Sequence, residues 1–203
     1  GQIIEGWHTY GPLKVFTLDP GKRQMAECLR ALDISPDGNS IVYMRYYYKT
    51  GKSDLVYEDI NTGETKTLVK QADIQGPSWS PDGKKVAYFA YDSEYRLHVV
   101  NVESTEDIVL SPPTMILNFD GNDMSYPLWS PDSKYIYYNS RYDNEEYSFG
   151  SYVYMVPANG TAAPYKISHG WVSQLSPDGE ILVVGNQAFK LSPDSVKPVP
   201  LSP

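Results

Sequence analysis

Three histidines, one cysteine and a few carboxylate clusters are the residues best suited to catalysis or metal binding, and their spacing favours neither. His8, His98 and His169 share no interval of the kind that sets two imidazoles on one metal ion. Cys28 stands alone, which excludes an internal disulfide framework and a cysteine-based metal cluster. His98 falls inside an apolar stretch and reads as a packed or surface strand residue. His8 and His169 lie close to Trp7 and Trp171 in loop-like contexts, where an imidazole near an indole could touch a ligand. Asp120-Gly121-Asn122-Asp123 offers closely spaced oxygen donors but lacks the distal Glu of a calcium loop, so a solvated loop is the simpler reading. Asp143-Asn144-Glu145-Glu146 reads as a hairpin tip. No Gly-x-Ser-x-Gly nucleophile elbow occurs. These residues predict no metal, no cofactor and no catalytic group.

Tyrosine is the residue with the stronger pattern. The chain holds 18 Tyr against five Phe. Tyr46-Tyr47-Tyr48, Tyr88 and Tyr91, Tyr137-Tyr138 and Tyr142 recur at equivalent places, late in what reads as a strand. An aromatic ring with a polar tip suits contact with peptide or sugar. Tyr47, Tyr48, Tyr91, Tyr138 and Tyr142, with Trp7 and Trp171, are therefore the binding candidates. The competing reading puts the tyrosines in the core between packed sheets.

Their equivalence comes from a repeat. Ser35-Pro36-Asp37-Gly38 recurs as Ser80-Pro81-Asp82-Gly83, Ser130-Pro131-Asp132-Ser133 and Ser176-Pro177-Asp178-Gly179, at intervals of 45, 50 and 46 residues. Pro presets φ for the first central position of a turn, Asp bonds nearby backbone, and Gly supplies a left-handed residue. Each copy thus joins two antiparallel strands, and Ser133 in place of Gly implies slight strain or an altered turn. The apolar runs that follow are Ile41 to Met44, Val86 to Tyr91, Tyr135 to Tyr138 and Ile181 to Val184. They are apolar on both alternating faces, so they sit in sheets covered on both sides. After each comes a second hairpin, its turns at Asn61-Thr62-Gly63, Glu103-Ser104-Thr105, Asn159-Gly160 and Ser192-Pro193-Asp194.

Four short strands per unit at this period predict an all-β protein, a β-propeller of four-stranded antiparallel blades. The units are expected at about 29–71, 72–120, 121–169 and 170–203, with a partial fifth over 2–28, all in one domain. Trp79-Ser80-Pro81-Asp82-Gly83-Lys84-Lys85-Val86-Ala87-Tyr88 resembles the TolB-like propeller repeat, and four copies in register over about residues 29–190 make the likeness specific. The resemblance implies a bacterial, extracytoplasmic propeller module (periplasmic, cell-surface or secreted) and leaves its activity open.

Composition narrows the partners. Asp and Glu total 25 against 17 Lys and Arg, a net charge of −8, which disfavours nucleic acid. No stretch nears 18 consecutive apolar residues, so no membrane insertion by a helix is expected. The chain as given shows no signal peptide, and its start without Met suggests excision from something longer. Asn159-Gly160-Thr161 is a formal glycosylation sequon that reads more simply as a turn. The function expected is a non-catalytic binding or scaffold module for a protein, peptide or carbohydrate, forming a homo-oligomer if the ring is incomplete. The alternative is the propeller of an enzyme, either a carbohydrate lyase or hydrolase or the substrate-gating domain of a prolyl-oligopeptidase-like peptidase.

Overall fold

The computed structural model describes residues 27–47, 49–91, 93–111, 126–140, 152–170, 172–192 and 195–200. Fifteen strands follow one another along these residues, without a helix among them. They are β1 (Glu27–Ile34), β2 (Ser40–Tyr47), β3 (Lys52–Asp59), β4 (Thr65–Trp79), β5 (Lys85–Tyr91), β6 (Tyr95–Asn101), β7 (Asp107–Val109), β8 (Leu128–Trp129), β9 (Tyr135–Ser140), β10 (Tyr152–Pro157), β11 (Tyr165–His169), β12 (Val172–Leu175), β13 (Ile181–Val184), β14 (Gln187–Ser192) and β15 (Ser195–Pro200). Every pairing is antiparallel between sequence neighbours. This is the pattern that hairpin-sized connections impose.

The expected separation of the first two units is not seen as two sheets. β1 to β7 form one seven-stranded sheet, while β8 to β11 and β12 to β15 form four-stranded sheets. The reason lies in β4, a 15-residue strand that changes partners along its length. Its first part pairs with β3 as far as Ala72, and from Asp73 onward it pairs with β5. Gly76, at φ 55°, sits inside the register shift between Gln75 and Ser78. The partial unit expected at 2–28 lies outside the described residues except for the start of β1, as does the turn expected at Pro193-Asp194.

Alternating side chains build the core between successive sheets. Val42 and Met44 of β2 pack with Val86, Tyr88 and Ala90 of β5. Ala87 and Phe89, on the other face of β5, pack with Ile136 and Tyr138 of β9. Tyr137 then joins Leu182 and Val184 of β13. Two-sided burial, read from the continuous apolar runs, is what the structure has in β2, β5 and β9. In β13 the outward face stays open, and Ile181 is 38% exposed.

The repeated turn is a closed hydrogen-bond unit. In each copy the Ser hydroxyl donates to the Asp carboxylate at 2.6–2.7 Å. It also accepts the N–H five residues on, at 2.8–2.9 Å. The same carboxylate oxygen accepts the N–H two residues beyond the Asp, at 3.0–3.1 Å. The fourth residue is left-handed throughout: Gly38 at φ 70°, Gly83 at 70°, Ser133 at 60° and Gly179 at 73°. The strain expected at Ser133 is present, and it has a use. Its hydroxyl oxygen accepts the Asp82 N–H at 3.0 Å, tying one turn to the next.

Candidate functional site

The neighbouring turns touch, so all four lie on one side of the sheets. A Cβ on Gly179 would stand 2.5 Å from Pro131 Cδ, and one on Gly83 would stand 3.9 Å from Pro36 Cδ. β2 and β5 run away from these turns, and their far ends, carrying Tyr47 and Tyr91, reach the opposite side. That side is the candidate binding face.

In β2, Tyr43, Arg45 and Tyr47 alternate along one face of the strand, and β3 places Asp54 directly opposite Arg45. The Tyr47 hydroxyl donates to Asp54 Oδ2 at 2.8 Å, and Arg45 Nη2 donates to Tyr43 Oη at 3.3 Å. The bond to Asp54, with burial adding to it, raises the Tyr47 hydroxyl above its ordinary range. Its ring is thereby fixed in a half-buried position.

At the end of β5, Tyr91 faces Asp73 on β4 and Tyr95 on β6. Tyr91 is 46% exposed, and its ring tilts against Tyr95 with centroids 5.0 Å apart. Tyr95 is held from behind by Gln75 Nε2, which donates to its oxygen at 2.7 Å. Burial, helped by the Asp73 charge, pushes the Tyr95 hydroxyl up to about 12. The phenol therefore stays neutral at physiological pH. A rigid inner ring thus supports an exposed outer one.

Tyr138 belongs elsewhere. It is only 2% exposed, stacks on Tyr154 at 5.6 Å and meets Phe89 edge-on at 6.2 Å. Its position two residues before the end of β9 turns it inward between sheets, which corrects its place among the contact candidates. Tyr48, Tyr142, Trp7 and Trp171 lie outside the described residues, together with His8 and both acidic loop clusters. His98 is packed, its ring stacked on Tyr88 at 5.2 Å and its Nδ1 3.1 Å from Asp107 Oδ2. His169 stands edge-on to Tyr152 at 5.2 Å. Among the described residues no three of His, Cys, Asp and Glu converge on a point that could hold a metal ion.

Sequence reasoning missed Arg45, Asp54, Tyr95 and Gln75. The available signal was register: Tyr91 and Tyr95 flank a short connection and must face each other if it closes a hairpin.

The chain belongs to the TolB β-propeller domain family, whose model matches residues 23–194. Over 85 residues it is 31% identical to the Tol-Pal system protein TolB of Alcanivorax borkumensis, covering 40% of this chain and 18% of that protein. Among solved structures it is similar to a protein assigned as TolB from Agrobacterium tumefaciens, with a TM-score of 0.56 and 21% identity, over 86% of this chain and 58% of that one. It is also similar to a prolyl endopeptidase, with a TM-score of 0.56 and 19% identity, over 87% of this chain and 30% of that one. These two likenesses speak to the fold alone. The chain spans less than two thirds of the length of each of these relatives.

Proposed function

We propose that this is a non-catalytic propeller module that binds a protein partner outside the cytoplasm through the face carrying Tyr47 and Tyr91. Its scaffold is read as four four-stranded blades, with β4 supplying the last strand of one and the first of the next. The carrying observation is the pair Tyr91 and Tyr95: a large exposed ring braced by a half-buried one and its hydrogen bond to Gln75. Such a ring loses little side-chain entropy on contact, which suits an interface anchor. Tyr47, Arg45 and Asp54 extend the same face with fixed polar groups. Family membership and the TolB relative, named for a Tol-Pal system, support a protein partner over a small metabolite.

The test is capture from the envelope fraction of the source cells by immobilised wild-type chain, a Tyr91→Ala variant and a Val109→Ser variant. Val109 is a 51% exposed apolar residue of β7 and serves as the control. A protein held by wild type and Val109→Ser but lost from Tyr91→Ala is expected. An identical bound set in all three contradicts the reading. The likeness to a prolyl endopeptidase supports a second reading, a propeller that accompanies a peptidase domain.

A further inference from the structure

Adjacent strands present one row of side chains at the tyrosine side. Asp73 of β4 stands opposite Tyr91 of β5, which stands opposite Tyr95 of β6, so the row projects from a single face. Gln75, two residues beyond Asp73, shares that face and donates from Nε2 to the Tyr95 hydroxyl at 2.7 Å. The Tyr95 ring therefore reaches across β5, with its tip on the Asp73 side. Burial first and the Asp73 charge second raise that hydroxyl. A half-buried carboxylate and the exposed Tyr91 ring thus lie beside one braced ring.

Asp73 forms no ion pair among the described residues. Arg96, next along β6, leaves the strand on the opposite face and pairs with Glu94 at 3.7 Å. A carboxylate in this position gives up part of its hydration with no countercharge in return. The facing sheet shows the complementary arrangement. Phe89 meets Tyr138 edge-on at 6.2 Å, which sets the Tyr91 face of β5 against the sheet of β9 and β10. Tyr152 shares the Tyr138 face of that sheet, and Lys166 Nζ lies 3.4 Å from its ring centre. The chain already holds a cation on a tyrosine at this seam, whereas Tyr91 and Asp73 hold none among the described residues.

We propose that this row receives an arginine side chain of the protein partner, its guanidinium flat on Tyr91 and bonded to the Asp73 carboxylate. This rests on the tyrosine side being the partner-binding face and adds what the partner presents there. Ring and carboxylate select together: a neutral group gains only the ring, and an anion is repelled by Asp73.

The probe is acetyl-Gly-Arg-Gly-amide, beside the same peptide with citrulline or glutamate in place of arginine, titrated against the nitrogen-15-labelled chain. The readouts are the Tyr91 backbone amide and the Gln75 side-chain amide, the latter assigned with Gln75→Glu. The arginine peptide is expected to shift both resonances, and the other two peptides to shift them far less. Asp73→Asn keeps the shape and removes the charge, and should weaken arginine binding about fivefold. Tyr91→Phe keeps the ring and should bind within about twofold of wild type. Equal shifts from all three peptides, no shift from any, or unchanged arginine binding by Asp73→Asn overturns the proposal. A captured partner lost from Tyr91→Ala but fully held by Asp73→Asn removes the arginine and keeps the face. One fully held by both variants removes the face as well.

Discussion

Residue by residue, the fourth position of the repeated turn shows how space and backbone conformation act together. Gly38 and Gly179 share a left-handed φ near 70°, yet a Cβ on Gly38 meets nothing within 4 Å while one on Gly179 collides with Pro131. Gly38→Ala is expected to cost about 1 kcal/mol, for backbone strain alone. Gly179→Ala should cost roughly 2–4 kcal/mol because Pro131 is a rigid neighbour. Urea denaturation of the two variants checks the order, and equal losses would contradict it. Ser133 adds a second contrast. Ser133→Gly relieves the strain and loses the bond to Asp82, two effects of about 1 kcal/mol each that largely cancel. Ser133→Ala keeps the strain and loses the bond, so it should be the less stable of the two. The sequence made the Pro, Asp and Gly roles readable from backbone preference. It hid the Ser, whose hydroxyl closes the turn by bonding an N–H five residues on, a contact visible only in three dimensions.

Along the elements, the turns also set the acid response. The bond from Ser35, followed by those from Asn39, holds the Asp37 carboxyl below its ordinary value of 3.8. Asp178 is lowered in the same way by Ser176 and Glu180. For Asp132 burial works upward but is outweighed by the bonds from Ser130 and Lys134. A lower value in the folded state means that the folded chain holds fewer protons there than the unfolded chain. The stabilisation is thus complete above 3.8 and is lost as pH falls below it through the folded values. Thermal unfolding followed from pH 6 down to about 2.5 should show a falling midpoint, with a shallower fall in Asp37→Asn. An unchanged slope in that variant would contradict the assignment. The paired faces of β5 and β9 were legible as continuous apolar runs, and the strand order followed from them. What was not legible was that Tyr138 belongs to the core and not to the rim: Tyr137 and Tyr138 are both buried because β9 is covered on both faces. Tyr138→Ala is expected to cost about 3–5 kcal/mol in denaturant unfolding, as a core truncation does. A loss below about 1 kcal/mol would mean that its packing against Phe89 and Tyr154 contributes little.

Across the whole molecule, the repeat places chemistry on two opposite sides. Turns stack at one side and tyrosines end at the other, so one period in the sequence generates two surfaces of different character. Period and family were readable from four turn motifs. The joining of β1 to β7 was not, because β4 continues through a point where the residue pattern alone suggests a break. The central claim is that the tyrosine side, through Tyr91, is where a protein partner is held. Its most direct test is the affinity of the captured partner for wild-type and Tyr91→Ala chains, measured by titration calorimetry beside the unfolding free energy of each. The account predicts a loss of affinity of at least about tenfold with stability changed by less than about 1 kcal/mol. Unchanged affinity, with or without a loss of stability, would contradict it.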